Sequence, residues 1–145
     1  MASKIESDSP LTNIIQLYPD FQYDNTEKNP FTFKSDMYIL INGSLNMSHS
    51  KITSEVSQVA EKLGEIYKHY PTYKAYVING YKKVLILIPT EELFIEILTQ
   101  TQMKEKVYII DKDEFKNKTT VVGYAPIFDK EVPPILKSLP LYETQ

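Results

Sequence analysis

The chain has 145 residues, 42% of them hydrophobic, and a formal charge of −3, enough for one domain with a core plus a tail. No apolar run approaches the roughly 18 residues of a membrane span, the N-terminus lacks a secretory pattern, and no cysteine offers a disulfide or a thiolate, so a cytoplasmic protein is expected. All 16 basic residues are lysine, which removes bidentate arginine contacts, and the acidic balance argues against a strongly basic nucleic-acid binder.

Residues 1–35 hold Pro10, Pro19 and Pro30 among Ser, Asp and Asn. They read as a mobile tail, or as an arm docking through Ile14, Ile15, Leu17 and Tyr18. Residues 36–145 read as the domain. "MYILI" from Met37 is a buried strand, and "NGS" after it is a turn. Ile52, Val56, Val59, Leu63, Ile66 and Tyr70 then step by four and three along one helical face. Ser48 or Ser50 is the N-cap, and Pro71 is the expected stop. Lys51, Glu55, Gln58 and Lys62 form the adjacent polar stripe.

"TYKAYVING" holds a short second helix ending at Gly80, and "KKVLILI" is a second buried strand. "PTEELFIEILTQTQ" is a helix with Thr90 as N-cap and Glu91 and Glu92 at the positive end of its dipole. "KVYII" is a third strand stopping at Asp111, "DKDEFKNK" a polar loop, "TTVVGYAP" a fourth strand. A short helix follows near "VPPILKSL". This order predicts a three-layer α/β domain with a small mixed four-stranded sheet between helices. Lys51, after the first strand, and Asp111, ending the third, can meet at one rim of such a sheet, where ligands usually bind.

These residues resemble the type 2 (archaeal and eukaryotic) peptidyl-tRNA hydrolases. In that family a first strand runs through a D-L-K-M turn to G-K at a helix start; here it reads "SLNMSHSK", with Lys51 on the helix-start lysine. "GYKKVLILIPTEELFIEILTQ" resembles the family's second strand and following helix. "YIIDKDEF", "TVVGYAP" and "ILKSLPLY" match the later pieces in order, placing Asp111, Thr120 and Pro126 on the family's aspartate, threonine and proline. The rim departs from the pattern. Ser44 stands for an aspartate, Asn46 for a lysine, Ser48 and Ser50 for glycines, His49 for a lysine, Glu55 for a glutamine and Gln58 for a histidine. Asp113, Glu114 and Phe115 replace G-R-T in a shortened loop.

The resemblance implies hydrolysis of the ester joining a peptide to the 3′ ribose of tRNA, with no metal and no organic cofactor. Negative charge develops on the carbonyl oxygen, and a preorganised cation stabilises it. That is the role implied for Lys51, near a helix N-terminus that itself favours anions. Asp111 would orient water or accept its proton, and the Thr120 hydroxyl would hold substrate or water. Ser44, Ser48, Glu55, Gln58, Lys112 and Lys118 are the candidate substrate contacts, and tRNA is the expected but weakly held partner. Without the resemblance, Lys51 is a solvated helix-start cation, Asp111 a turn aspartate, Thr120 a strand residue and Glu55 its i, i+4 partner.

A catalytically inactive binding or regulatory module, or an enzyme acting on another small ester or nucleotide, are the alternatives. Homodimerisation is a further implication, with Ile127, Phe128 and "ILKSLPLY" as apolar contacts.

Overall fold

The computed structural model describes residues 34–142; the expected tail or arm in residues 1–33 lies outside them. β1 (Ser35–Asn42) leads through a 3-10 turn (Gly43–Leu45) to α1 (His49–Tyr67) and α2 (Pro71–Ile78). β2 (Lys83–Ile88), α3 (Glu91–Thr101), β3 (Lys106–Asp111) and β4 (Lys118–Tyr124) follow. A two-residue β5 (Ile127–Phe128), a 3-10 turn (Asp129–Glu131) and α4 (Pro134–Lys137) complete the order.

The sheet runs β2-β1-β4-β3, with β5 pairing the start of β1. β1 is parallel to β2 and antiparallel to β4, and β3 is antiparallel to β4. The sheet is mixed, as expected. It has five strands rather than four, because Ile127 and Phe128 pair with Asp36 and Ser35, a contact too short to leave a periodic signal.

β1 explains the layering. Its side chains alternate between faces: Met37, Ile39 and Ile41 pack with Ile52, Val56, Val59, Leu63 and Tyr67 of α1. Tyr38 and Leu40 pack with Phe94 and Ile97 of α3 and Leu136 of α4. A strand covered on both faces reads as a continuous apolar run, and each such side chain contributes roughly 1.5–3 kcal/mol on burial. Gly123 sets how closely α1 lies on β4. A Cβ there would collide with Val59 and Leu63, so Gly123→Ala would lift the helix that carries the site.

Two helix boundaries follow local chemistry. Ser48 caps α1 by accepting from the Lys51 amide at 3.2 Å, and Thr90 caps α3 through Leu93 N–H at 3.2 Å. Pro71 does not stop α1. The helix ends earlier, at Tyr67, and Pro71 opens α2, where its missing N–H costs nothing. Tyr67 accordingly takes the fully buried place that the spacing had given to Ile66 and Tyr70.

The C-terminal segment covers the β2 edge: Tyr142 N–H donates to Leu85 O at 2.8 Å and Leu87 N–H to Pro140 O at 3.3 Å. Of the apolar residues offered for self-association, Ile127 and Phe128 are engaged by β1, Leu136 is buried and Leu141 is exposed.

Candidate active site at the start of α1

The first turn of α1 presents Lys51 toward the end of β3. Its Nζ lies 2.9 Å from Asp111 Oδ2 and 3.2 Å from Glu55 Oε2, one helical turn on. The lysine side chain keeps 26% of its exposure, against 9% for each carboxylate. The lysine is therefore the most exposed side chain of the three. The Phe115 ring lies 5.7 Å from Nζ and adds an aromatic wall.

Asp111 is both a turn aspartate and an ion-pair partner. Its Oδ1 accepts from the amides of Asp113 (2.9 Å) and Phe115 (3.2 Å), while Oδ2 takes Lys51. The loop closes on itself, with Asn117 N–H donating to Asp111 O at 2.6 Å. The Lys51 ammonium, then the Phe115 amide, holds the Asp111 carboxyl below its ordinary 3.8. Asp111, then Glu55, pushes Lys51 above its ordinary 10.5. Both groups are charged at neutral pH.

Thr120 joins through a β-bulge. The β3–β4 register steps between Ile109, paired with Val121, and Ile110, paired with Thr119, leaving Thr120 as the extra residue. Strict alternation would put Thr120 and Val121 on opposite faces. The bulge turns both toward α1: Val121 packs with Ile52 and Val56, and Thr120 Oγ1 donates to Glu55 Oε1 at 2.5 Å. The result is one chain of contacts from Thr120 through Glu55 and Lys51 to Asp111, with Ser48 capping the helix beneath it.

The other expected site residues separate. Ser44 and Lys118 gather around Glu91 at the end of β1: Ser44 Oγ is 3.4 Å from Glu91 Oε1, and Lys118 Nζ is 3.7 Å from Oε2. Gln58 donates to Ser54 at 3.3 Å on the exposed face of α1, and Lys112 is exposed in the β3–β4 loop.

Sequence reasoning gave no site role to Asn42 or Glu91, although a polar residue closing an apolar strand was a usable signal. His49 is exposed at the first position of α1, and its Nδ1 lies 2.6 Å from the Tyr142 hydroxyl. Among the described residues no His, Asp or Glu group is arranged to hold a metal ion, and no helix is long and apolar enough to cross a membrane.

The fold and rim define a small three-layer α/β domain with a carboxylate-held lysine at the start of its first helix. The peptidyl-tRNA hydrolase PTH2 family model matches residues 35–142, from the first residue of β1 to the segment on the β2 edge, and the chain belongs to that family. Comparison with curated proteins gives no match.

Proposed function

We propose that this chain hydrolyses the ester between a peptide, or an N-blocked amino acid, and the 3′ end of tRNA. The observation that carries the proposal is Lys51, its side chain partly exposed and its ammonium held by two largely buried carboxylates, in a member of the peptidyl-tRNA hydrolase family. A lysine in a first turn opposes the helix dipole by about 0.3–1 kcal/mol, and an i, i+4 pair returns only about 0.3–0.5 kcal/mol. Local helix stability therefore does not account for Lys51; its ion pair to Asp111 across to β3 and the role of a preorganised cation are what support it.

In this reading water attacks the ester carbon while Lys51 meets the negative charge growing on the carbonyl oxygen. Asp111 orients the water and takes its proton, which passes to the departing ribose oxygen; free tRNA and a carboxylic acid result. The lowered pKa of Asp111 makes it a weak base, so most of the acceleration falls to Lys51. Thr120 is fully buried beneath Glu55 and acts as a positioning residue. Lys112 and Lys116, exposed in the loop after Asp111, and Lys118, which also reaches Glu91, are the proposed phosphate contacts, and their small number makes binding weak, with a shallow salt dependence. Peptidyl-tRNA arises in translation, so the proposed compartment is the cytoplasm.

One observation favours a second reading, a catalytically inactive binding module. Glu55 adds a second negative charge at 3.2 Å from the lysine and competes with an oxyanion. The test is release of N-acetyl-aminoacyl groups from tRNA at low salt by wild type, Lys51→Ala and Asp111→Ala. Turnover lost in both variants supports the hydrolase. A folded wild type that binds tRNA without turnover leaves the binding module.

A further inference from the structure

Asn42 closes β1 and is 1% exposed. Every hydrogen-bonding position of its amide is taken. Nδ2 donates to the Thr119 carbonyl at 3.0 Å and to Glu91 Oε1 at 2.9 Å. Oδ1 accepts from the Ser44 amide at 3.2 Å and the Ser44 hydroxyl at 2.6 Å. One side chain thus ties together the end of β1, the turn after it, the start of α3 and β4.

The position on β4 matters. The β1–β4 ladder ends at the Ile41–Val121 pair, and the bulge begins at the next residue, Thr120. Beyond that pair, the Asn42 amide takes the Thr119 carbonyl in place of a backbone donor. The contacts run from Lys51 through Glu55 to Thr120 and then, across a single peptide unit, through Thr119 to Asn42.

We infer that Asn42 is a positioning residue for the reaction: it clamps the β4 bulge, so that the Thr120 hydroxyl meets Glu55 and Glu55 in turn fixes the Lys51 ammonium. The inference rests on the proposed hydrolase reading for its consequence in rate, but not for its geometry. Losing the clamp lets the bulge shift register, turns Thr120 away and leaves Lys51 on Asp111 alone. Misplacement of a catalytic group on this scale lowers turnover by roughly tenfold or more, with substrate binding little changed because Asn42 is too buried to touch tRNA.

The experiment is a double-mutant cycle on the full chain, using Asn42→Ala, Thr120→Val and both together, with N-acetyl-aminoacyl-tRNA as substrate. If Asn42 acts through Thr120, Asn42→Ala lowers kcat about tenfold at constant KM, and costs nothing further once Thr120 is Val. Independent, additive losses overturn the inference. Asn42→Asp, of nearly the same volume, is the second variant: it sets a carboxylate against Glu91 and the Thr119 carbonyl, and must show the same coupling.

An activity-free readout separates this inference from the hydrolase reading. The side-chain carboxyl signal of Glu55, followed by NMR, should shift alike in Asn42→Ala and Thr120→Val. If those shifts appear without any turnover, the hydrolase reading fails while the clamp stands. If Asn42→Ala and Asn42→Asp fold and leave the Glu55 signal at its wild-type position, the clamp is wrong.

Discussion

The two ends of α1 do opposite work. At its start, Lys51 and Glu55 meet Asp111 and Thr120, and nearly every polar atom has a named partner. At its end, Tyr67 and Tyr70 meet edge to face, with ring centroids 5.0 Å apart, beside Tyr73, Tyr76 and Tyr81 from α2 and its exit. There the aromatic rings carry the packing: burial pushes the Tyr76 hydroxyl, which donates to Met37 Sδ, up to about 12, and the Tyr67 hydroxyl finds no hydrogen-bond partner among the described residues. An aromatic side chain buries about 150–250 Å², several kcal/mol at about 25 cal/mol per Å². That outweighs the roughly 1–3 kcal/mol cost of one unsatisfied hydroxyl. The helix is anchored at one end and charged at the other, so substitutions at the charged end should change chemistry without unfolding the domain.

The largest expected effect tests that separation directly. Lys51→Ala should lower kcat by about 10²–10³, the usual cost of a lost oxyanion donor, while the thermal midpoint moves by only a few degrees. A midpoint that collapses together with activity would show that the two ends are not independent.

Glu55→Gln should have a smaller effect of the same sign. The amide oxygen still accepts from Thr120, but the charge that fixes Lys51 is gone. One unit charge a few ångströms away is worth about 1 kcal/mol in a water-like medium, so turnover should fall roughly fivefold. A rise in turnover would instead show Glu55 competing with the oxyanion for Lys51, as the binding-module reading holds. At the other end of the helix, Tyr67→Phe removes the unpartnered hydroxyl and keeps the ring. Chemical denaturation should show a gain of about 1 kcal/mol, whereas a loss would reveal a partner for that oxygen.

The contrast between the ends also explains what was legible in the sequence. The strand of β1, the caps Ser48 and Thr90 and the apolar face of α1 each depend on neighbours in the chain, and local chemistry announces them. Lys51 and Asp111 could be suggested for one rim because each follows the end of a predicted strand; the reason they meet lies in the sheet, where β1 and β3 both run antiparallel to the β4 between them and so end on the same side. The orientation of Thr120 could not be read. It depends on a one-residue slip between β3 and β4, and a slip reverses which face a side chain takes. Two of the four bonds of Asn42 go to Ser44 within the turn that the sequence announces; the other two reach Glu91 and Thr119, 49 and 77 positions away, and no local pattern specifies them. β5 consists of two residues, too few for a period. Pro71 was ambiguous for a different reason: the same ring that ends one helix is favoured at the first position of the next.

The smallest effect concerns acid stability. Asp111 titrates below its ordinary 3.8 because Lys51 and two loop amides favour its charged form. A lowered carboxylate pKa gives stability that is complete above the unfolded value and lost as pH falls through the folded one. Lys51 has the opposite sign: its pKa is raised above 10.5, so its share is present below that value and lost only as strong alkali reaches its folded pKa. Across the neutral range the pair is therefore fully charged, and neither member should impose a limb on the rate profile there. The comparison to make is the thermal midpoint of wild type and Asp111→Asn against pH. The gap between them should be constant above roughly pH 6 and narrow as pH falls from about 5 to about 2. The Tyr67→Phe gap should stay flat over the same range, since a tyrosine hydroxyl does not ionise in acid. A constant Asp111→Asn gap down to acid would mean that the charged end of α1 adds nothing to stability and that its ion pairs serve the reaction alone.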